Sequence, residues 1–247
     1  MITLVLALAA GAVVGLVLGG LGGGGGILAV PALIYLLGLS PAAATTAGLM
    51  IVLATSVSAI VAHTRAGNIR WRVALAFAAA GLLPAALAGA AAARLPQSLL
   101  TAAFALVAAV AAIRMLRPAR QREAATAGPA RAAATGAGLG AVTGLLGVGG
   151  GFLAVPALVT AVGLSMEAAV GTSLPVIAVN ASASLATRGG AGSGLDWAVI
   201  APFTAAAVLG AWDGKRLAAR FSGSTLRRAF AALLLAVAAV MGVDAVL

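Results

Sequence analysis

Long apolar stretches alternate with short polar segments along the whole chain. The stretches are rich in alanine and leucine, run for roughly 18–22 residues, and show no period-two alternation. That length suits a helix that crosses a bilayer, whereas the strands of a membrane barrel alternate apolar and polar residues. The pattern therefore predicts an all-α polytopic membrane protein.

The pattern predicts ten apolar segments, five in each half of the chain. In the first half they cover residues 2–19, 27–38, 41–62, 72–92 and 97–114. In the second half they cover residues 133–147, 152–163, 167–187, 197–213 and 229–246. Segments 27–38 and 152–163 are short, at about 18 Å of helix against an apolar core of about 30 Å. We therefore expect them to be half-length helices or arms of hairpins that enter the membrane part-way.

A glycine-rich motif occurs twice. Residues 22–33 read GGGGGILAVPAL, and residues 147–158, which lie 125 positions later, read GVGGGFLAVPAL. The triplet Gly-Leu-Ser follows each copy at the same spacing. This predicts an internal duplication, with repeats at 1–114 and 132–247 joined by a polar linker at 115–131. Paired breaks in two halves of a membrane chain indicate a transport site.

The basic residues predict how the two halves are oriented. If each half crosses five times, one side carries thirteen lysines and arginines, and the other carries only Arg94 and Arg188. With four crossings the split becomes nine to six. Because cytoplasmic loops are enriched in basic residues, the first split favours inverted-topology repeats of about five segments each, with both termini outside.

Composition narrows the function classes. The chain is 63% hydrophobic and 8% charged, with mean hydropathy +1.16, which excludes a soluble domain. The net charge of +10 is read as a set of topology determinants beside an anionic membrane, not as a nucleic-acid surface. With one histidine, no cysteine and no hydrolytic constellation, we expect no enzyme activity, metal or cofactor. The start of the chain lacks basic residues, so the first segment is expected to be a retained helix and not a signal peptide.

The glycine clusters are the first candidate binding elements. Glycine costs roughly 1 kcal/mol against alanine in a helix, and broken backbone in a bilayer persists only where it faces protein or water. Successive N–H groups can form an anion-binding nest, to which the next helix adds its positive end, with Pro31 and Pro156 just inside that helix. The predicted substrate-lining glycines are Gly24, Gly25, Gly26, Gly149, Gly150 and Gly151. The alternative is close helix packing, which is the expected role of Gly11, Gly15 and Gly19.

Neutral hydroxyl and amide side chains inside apolar segments are the second candidates. Such donors suit an oxyanion that must be released, whereas a buried arginine would hold it too tightly. Asn180 lies 125 positions after Thr55, so both halves place a hydrogen-bonding side chain at one depth. The alternative is that these groups bond back to their own helices. The candidates for the path are Thr46, Thr55, Thr172, Ser173 and Asn180.

The few other polar residues have ordinary interpretations. Glu167 near a predicted helix start is read as a cap, with proton coupling as the alternative. Asp213 is expected to pair locally with Lys215 or Arg216. His63, the only histidine, is assigned to a loop boundary, and the three tryptophans near segment ends are typical interfacial anchors.

The doubled glycine-rich, Val-Pro segment resembles the TauE/SafE family of sulfite exporters. Three further stretches support the resemblance, namely HTRAGNIRW at 63–71, GTSL at 171–174 and GAWDG at 210–214. The resemblance covers essentially the whole chain. It implies a multi-pass carrier of the bacterial inner membrane for sulfite, sulfonates or related small sulfur-containing anions, commonly in export.

Two departures from the family pattern leave the specific anion open. Thr172 and Ser173 align with Ala47 and Gly48 in the first half, and Asp213 stands where an apolar residue is expected.

The membrane potential sets the expected direction of transport. An interior-negative potential expels an anion with about 2.3 kcal/mol per charge per 100 mV, which predicts export by uniport with alternating access at a midplane site. One alternative is a proton-coupled carrier or a channel for another small anion or solute. A second is a non-transporting scaffold, against which the paired helix breaks argue. The sequence leaves open whether the chain acts alone or as a homo-oligomer.

Overall fold

The computed structural model describes residues 2–22, 24–92, 96–117, 129–146, 151–187 and 195–244, and the regular structure in these ranges is helical. In the first half, α1 spans Ile2–Leu21, α2 Gly24–Pro31, α3 Pro41–Arg65, α4 Trp71–Ala92 and α5 Gln97–Leu116. In the second half, α6 spans Pro129–Leu146, α7 Gly151–Ala157, α8 Met166–Thr187, α9 Trp197–Ala218 and α10 Gly223–Asp244. Two π-helical turns, Ala32–Leu36 and Leu158–Val162, extend α2 and α7.

Seven helices in the described part of the chain are long and apolar enough to cross a membrane. They are α1, α3, α4, α5, α8, α9 and α10. The prediction of an all-α multi-pass membrane protein is confirmed. Each of the ten predicted segments contains a helix, although several helices run further than hydropathy indicated. Helix α3 continues to Arg65 and α9 to Ala218, because basic side chains in a last turn favour the helix end and their charged groups can reach the interface.

The half-length helices begin earlier than predicted. Helix α2 starts at Gly24 and α7 at Gly151, so Gly24–Gly26 have helical backbone despite the low helix propensity of glycine. Pro31 ends α2 and Pro156 is the next to last residue of α7, so the prediction that these prolines lie near the helix starts was wrong. A wider turn follows each proline, because proline lacks the N–H that the regular ladder needs and its ring clashes with the preceding turn.

The repeated Gly-Leu-Ser triplets form equivalent turns. Gly38 and Gly163 have φ of +70° and +85°, a conformation that glycine adopts without strain. Two residues later, Ser40 and Ser165 begin the next helices, and their hydroxyl oxygens accept backbone N–H groups of the first turn at 3.3 and 3.4 Å. The triplet therefore ends one helix and caps the next in both halves.

Helix α1 packs on α9 with the two backbones in contact. A Cβ on Gly11 would lie 2.3 Å from the carbonyl oxygen of Phe203. A Cβ on Gly15 would lie 2.1 Å from the carbonyl oxygen of Ala207, and Gly19 is equally tight. The predicted packing role of these three glycines is confirmed.

Helix α6 packs on α4 in the same way. A Cβ on Gly136 would lie 2.2 Å from the carbonyl oxygen of Phe77, and one on Gly140 the same distance from that of Gly81. The first helix of each half thus packs on the fourth helix of the other half. Trp71 opens α4 and Trp197 opens α9. Equivalent residues of these two helices are therefore one position further apart in the sequence than equivalent residues of the two glycine motifs.

Polar contacts gather at one end of the helix bundle. The indole N–H of Trp212 donates to the Ser58 hydroxyl at 2.7 Å, and the Lys215 ammonium donates to the carbonyl of Ala62. Both contacts join residues in the same order along α3 and α9, so these helices run in the same direction. The Arg227 guanidinium, at the start of α10, donates to a carbonyl at the end of α5. We call this end, which includes Arg65, Arg70, Arg117, Lys215, Arg216, Arg220 and Arg227, the basic end.

The half-helix α7 lies in the interior. Residues 152–156 are all buried, and Phe152 packs against Phe104 with ring centroids 5.1 Å apart. Phe77 and Phe230 belong to the same apolar cluster, and the short helix packs against α2, α5, α6 and α8.

Candidate functional site

The first glycine cluster meets the second half of the chain at Gly22. This residue has φ of +77°, and its N–H donates to the carbonyl of Leu18 at 2.8 Å. A Cβ here would lie 2.9 Å from Val155 Cγ2 and 3.2 Å from the hydroxyl oxygen of Ser173. Only glycine fits both the conformation and the space. The break between α1 and α2 is therefore buried between the halves, beside α7 and α8.

Ser173 is fully buried next to this break. Its hydroxyl donates to the carbonyl of Val170 at 2.8 Å, which leaves its oxygen lone pairs facing the interior. A back-bonded serine can turn its proton outward when a better acceptor arrives.

Thr172 is also fully buried, but its hydroxyl contacts a different part of the chain. Its hydroxyl oxygen accepts the backbone N–H of Arg70 at 3.1 Å. The adjacent Gly171 lies under Asn68, whose carbonyl oxygen would be 2.9 Å from a Cβ at that glycine. The turn at 66–70 therefore folds onto α8. The structure places Thr172 under that turn and Ser173 beside Gly22.

The two threonine candidates on α3 are buried. Thr55 is fully buried and its hydroxyl donates to the carbonyls of Ile51 and Val52 at 2.7 and 3.1 Å. This is the back-bonded alternative considered for such residues. Thr46 is 3% exposed near the start of the same helix.

Asn180 lies further along α8. It lines a narrow crevice of about 10 Å³ between α4, α6 and α8, together with Thr143 and the contact between Gly81 and Gly140. Seven residues, or about 10 Å of helix rise, separate it from Ser173. The two side chains therefore do not meet at one site of the size of a small anion.

The glycines of the predicted site are only partly described. Gly24, Gly25 and Gly26 form the first turn of α2. Gly151 opens α7, where an added Cβ would lie 3.1 Å from Ile177, which supports close packing there. Gly149 and Gly150 lie outside the described residues.

Two further polar residues of α3 are buried. His63 is 4% exposed, and in the described part of the chain neither ring nitrogen has a hydrogen-bond partner. Ser56 is fully buried, and no described residue forms a hydrogen bond with its hydroxyl. Hydropathy ended the segment at residue 62, which assigned His63 to a loop boundary, whereas it lies in the last turn of α3. Helical spacing is the signal that was available, since Ser56 and His63 are seven residues apart.

The charged residues lie where local ion pairing and helix capping are expected. Asp213 and Arg216 form an exposed ion pair at 3.3 Å, as predicted, while Lys215 turns to α3 instead. Glu167 is exposed in the first turn of α8, which suits a carboxylate near a helix N-terminus. Within the ranges that the structure describes, no three His, Cys, Asp or Glu side chains form a metal-binding group.

The chain is similar to known sequences over nearly its whole length. Residues 7–241 match the family model described as Sulfite exporter TauE/SafE. A "Probable membrane transporter protein" of Xylella fastidiosa strain 9a5c is 34% identical over 246 residues, which cover 96% of this chain and 94% of the relative. A protein of the same name from strain Temecula1 is 32% identical over the same shares of both chains. No solved structure matches significantly.

Proposed function

Because the chain belongs to the sulfite exporter TauE/SafE family, we propose that it exports sulfite, a sulfonate or a related small sulfur-containing anion across the bacterial inner membrane. The observation that carries the proposal is the junction at Gly22. Broken backbone inside a membrane protein is tolerated where it lines a path or a protein interface. Here it lies between the halves, beside the hydroxyl of Ser173.

In this proposal the two halves are inverted repeats. Helices α4 and α9 are equivalent, since each opens with tryptophan and packs on the first helix of the other half. Helix α9 runs in the direction of α3, whereas α4 follows α3 after the short turn at 66–70 and returns across the membrane. Opposite directions for α4 and α9 support inversion, and so does the gathering of arginines at the basic end.

Alternating access then occurs by movement between two tightly packed helix pairs. The α1–α9 and α4–α6 contacts leave no space for sliding, because backbone meets backbone at the glycines. We assign the rearrangement to the contacts of α3 and α8 with the short helices α2 and α7. The substrate-lining roles of Gly24–Gly26, Gly149–Gly151, Thr46, Thr55, Thr172, Ser173 and Asn180 are part of this proposal.

The driving force in this proposal is the membrane potential. A monovalent anion gains about 2.3 kcal/mol per 100 mV on leaving an interior-negative compartment, and a dianion about twice that. Uniport then suffices for export. Exposed Glu167, at the start of α8, gives no specific support for proton coupling.

Flux in proteoliposomes tests the proposal. Purified protein is reconstituted, loaded with labelled sulfite, sulfoacetate or taurine, and the potential and the pH gradient are clamped separately. We expect sulfite efflux to rise with an interior-negative potential at equal pH. Protein-containing vesicles that release none of these solutes faster than empty ones would overturn the transport proposal. Efflux that follows the pH gradient and ignores voltage would replace uniport with proton coupling.

A matched pair of glycine variants tests the role of the junction. Gly22→Ala introduces a positive-φ side chain and also crowds Val155 and Ser173. Gly38→Ala introduces a similar backbone strain at φ +70°, but nothing lies within 4 Å of its Cβ. We expect the first variant to lose most of its flux and the second to keep it. Equal flux in the two would show that the junction is only a turn.

A further inference from the structure

Two buried side chains on α3 have no hydrogen-bond partner among the residues that the structure describes. They are Ser56, through its hydroxyl, and His63, through both ring nitrogens. Burying a polar group without a partner costs roughly 1–3 kcal/mol, so native proteins rarely do it without a reason. Such groups are candidate donors to a small polar ligand that enters the bundle.

Both side chains lie on one face of α3. Seven residues separate them, which is almost two full turns and about 10 Å of rise. Between them lies Ala59, which is buried in an apolar cluster with Leu18 of α1 and Leu174 of α8. Leu174 directly follows Ser173, and Leu18 accepts the N–H of Gly22. This face of α3 therefore begins with His63 at the basic end, passes the junction between the halves near Ala59, and reaches Ser56 deeper in the bundle.

A positive charge lies beside the histidine. The Lys215 ammonium donates to the carbonyl of Ala62, the residue next to His63, and retains two further N–H donors. The nearby carboxylate of Asp213 pairs with Arg216. Among the described residues, Lys215 forms no ion pair within 4.0 Å, so its charge is available to an anion.

The turn at 66–70 is bonded to the backbone of His63. The N–H of Asn68 donates to the carbonyl of His63 at 3.2 Å, and the next residues of the turn rest on α8 through Thr172. The imidazole itself is buried.

We propose that His63 and Lys215 form an anion-binding vestibule at the basic end, with Ser173 beside it and Ser56 as the next donor deeper along α3. The inference rests on the proposed function and names its cytoplasmic site. The ligand class is a small sulfur oxyanion, such as sulfite or a sulfonate head group, whose several acceptor oxygens match an imidazole N–H, an ammonium and a hydroxyl. The apolar walls at Ala59, Leu18 and Leu174 leave these donors as the specific contacts.

The single histidine permits a direct binding test. The chain contains one histidine, so imidazole ¹⁵N labelling gives signals from His63 alone. Wild-type protein in lipid nanodiscs is titrated with sulfite, and with chloride at equal ionic strength. We expect the imidazole signals to move saturably with sulfite and not with chloride. Lys215→Gln should raise the sulfite Kd about tenfold. Arg220→Gln, an exposed charge from the next turn, should leave it unchanged.

Flux measurements separate this site from the transport proposal. We expect His63→Leu to raise the KM for sulfite about tenfold and His63→Gln, which keeps a donor, to raise it less. Ser56→Ala should lower flux, whereas Ser182→Ala, an exposed back-bonded serine, should not. A wild-type protein that transports sulfite with unmoved imidazole signals and an unaltered KM in His63→Leu would overturn the vestibule alone. A moving imidazole signal in a protein that transports no sulfur anion would overturn the transport proposal and leave the anion site standing.

Discussion

The backbone N–H of Arg70 donates to the hydroxyl oxygen of Thr172, which lies 102 positions later in the chain, at 3.1 Å. This hydrogen bond holds a turn of the first half on a helix of the second half. Below it, Asn68 lies on Gly171 so closely that a side chain would not fit. The turn and α8 therefore form one closed contact above His63.

Replacement of Thr172 should loosen this contact. Thr172→Val keeps the shape and removes the acceptor, which leaves a part-buried N–H unpaired at a cost of about 1–3 kcal/mol. We expect faster hydrogen exchange of the amides at 68–72, measured by mass spectrometry in detergent. Thr172→Ser retains the hydroxyl and should exchange at the wild-type rate. Wild-type protection in Thr172→Val would show that glycine packing alone holds the turn.

The glycine interfaces should resist any added carbon. Gly140→Ala and Gly15→Ala place a Cβ 2.2 and 2.1 Å from carbonyl oxygens of α4 and α9, so the helices must separate. We expect each variant to lose about 1–3 kcal/mol in the free energy of unfolding, measured by denaturant titration in micelles. Gly138→Ala lies on the same helix as Gly140 with nothing within 4 Å, and should be neutral or stabilising by up to about 1 kcal/mol. Equal stability of Gly138→Ala and Gly140→Ala would contradict the backbone contact.

Asn180 should affect transport more than folding if it lines the path. Asn180→Leu fills part of the crevice between α4, α6 and α8 and removes the amide. We expect reduced sulfite flux in proteoliposomes with little change in the thermal midpoint of unfolding. Asn180→Gln keeps the amide and should retain more flux. Full flux in Asn180→Leu would restrict the path to the region of Ser173.

The inverted arrangement predicts which loops share a side of the membrane. The chain contains no cysteine, so single cysteines report their own accessibility. Ala66→Cys and Ser222→Cys are exposed positions at the basic end and should react with an impermeant maleimide only from the cytoplasm. Ser193→Cys should react from the opposite side. Labelling of Ala66→Cys and Ser222→Cys from opposite sides would favour four crossings per half and parallel repeats.

The sequence was most informative where local spacing determines structure. Apolar runs of helical length predicted all ten segments, and the four-residue spacing of Gly11, Gly15 and Gly19 predicted a packing face. Both properties are determined by the sequence within a single helix. The repeat of the glycine motif also located the junction at Gly22, although not the residues that it meets.

The remaining features depend on contacts between distant parts of the chain. Tertiary packing lets α2 begin inside the glycine cluster, where propensity alone predicts a break. Hydropathy ended the third segment before His63, because a polar residue lowers the average even where it is buried. The partner of Thr172 is a backbone N–H in another repeat, and no periodicity in one helix predicts such a bond.

The crossed pairing of α1 with α9 and α4 with α6 has a consequence for biogenesis. Helix α1 leaves the ribosome nearly 200 residues before α9, the helix on which its glycine face packs. Until α9 is made, that face remains exposed to lipid or to the insertion machinery. Neither half contains a complete native interface of its own for these helices. The first half made alone is therefore expected to be a target for membrane quality control, and co-expression of the two halves as separate chains should rescue both.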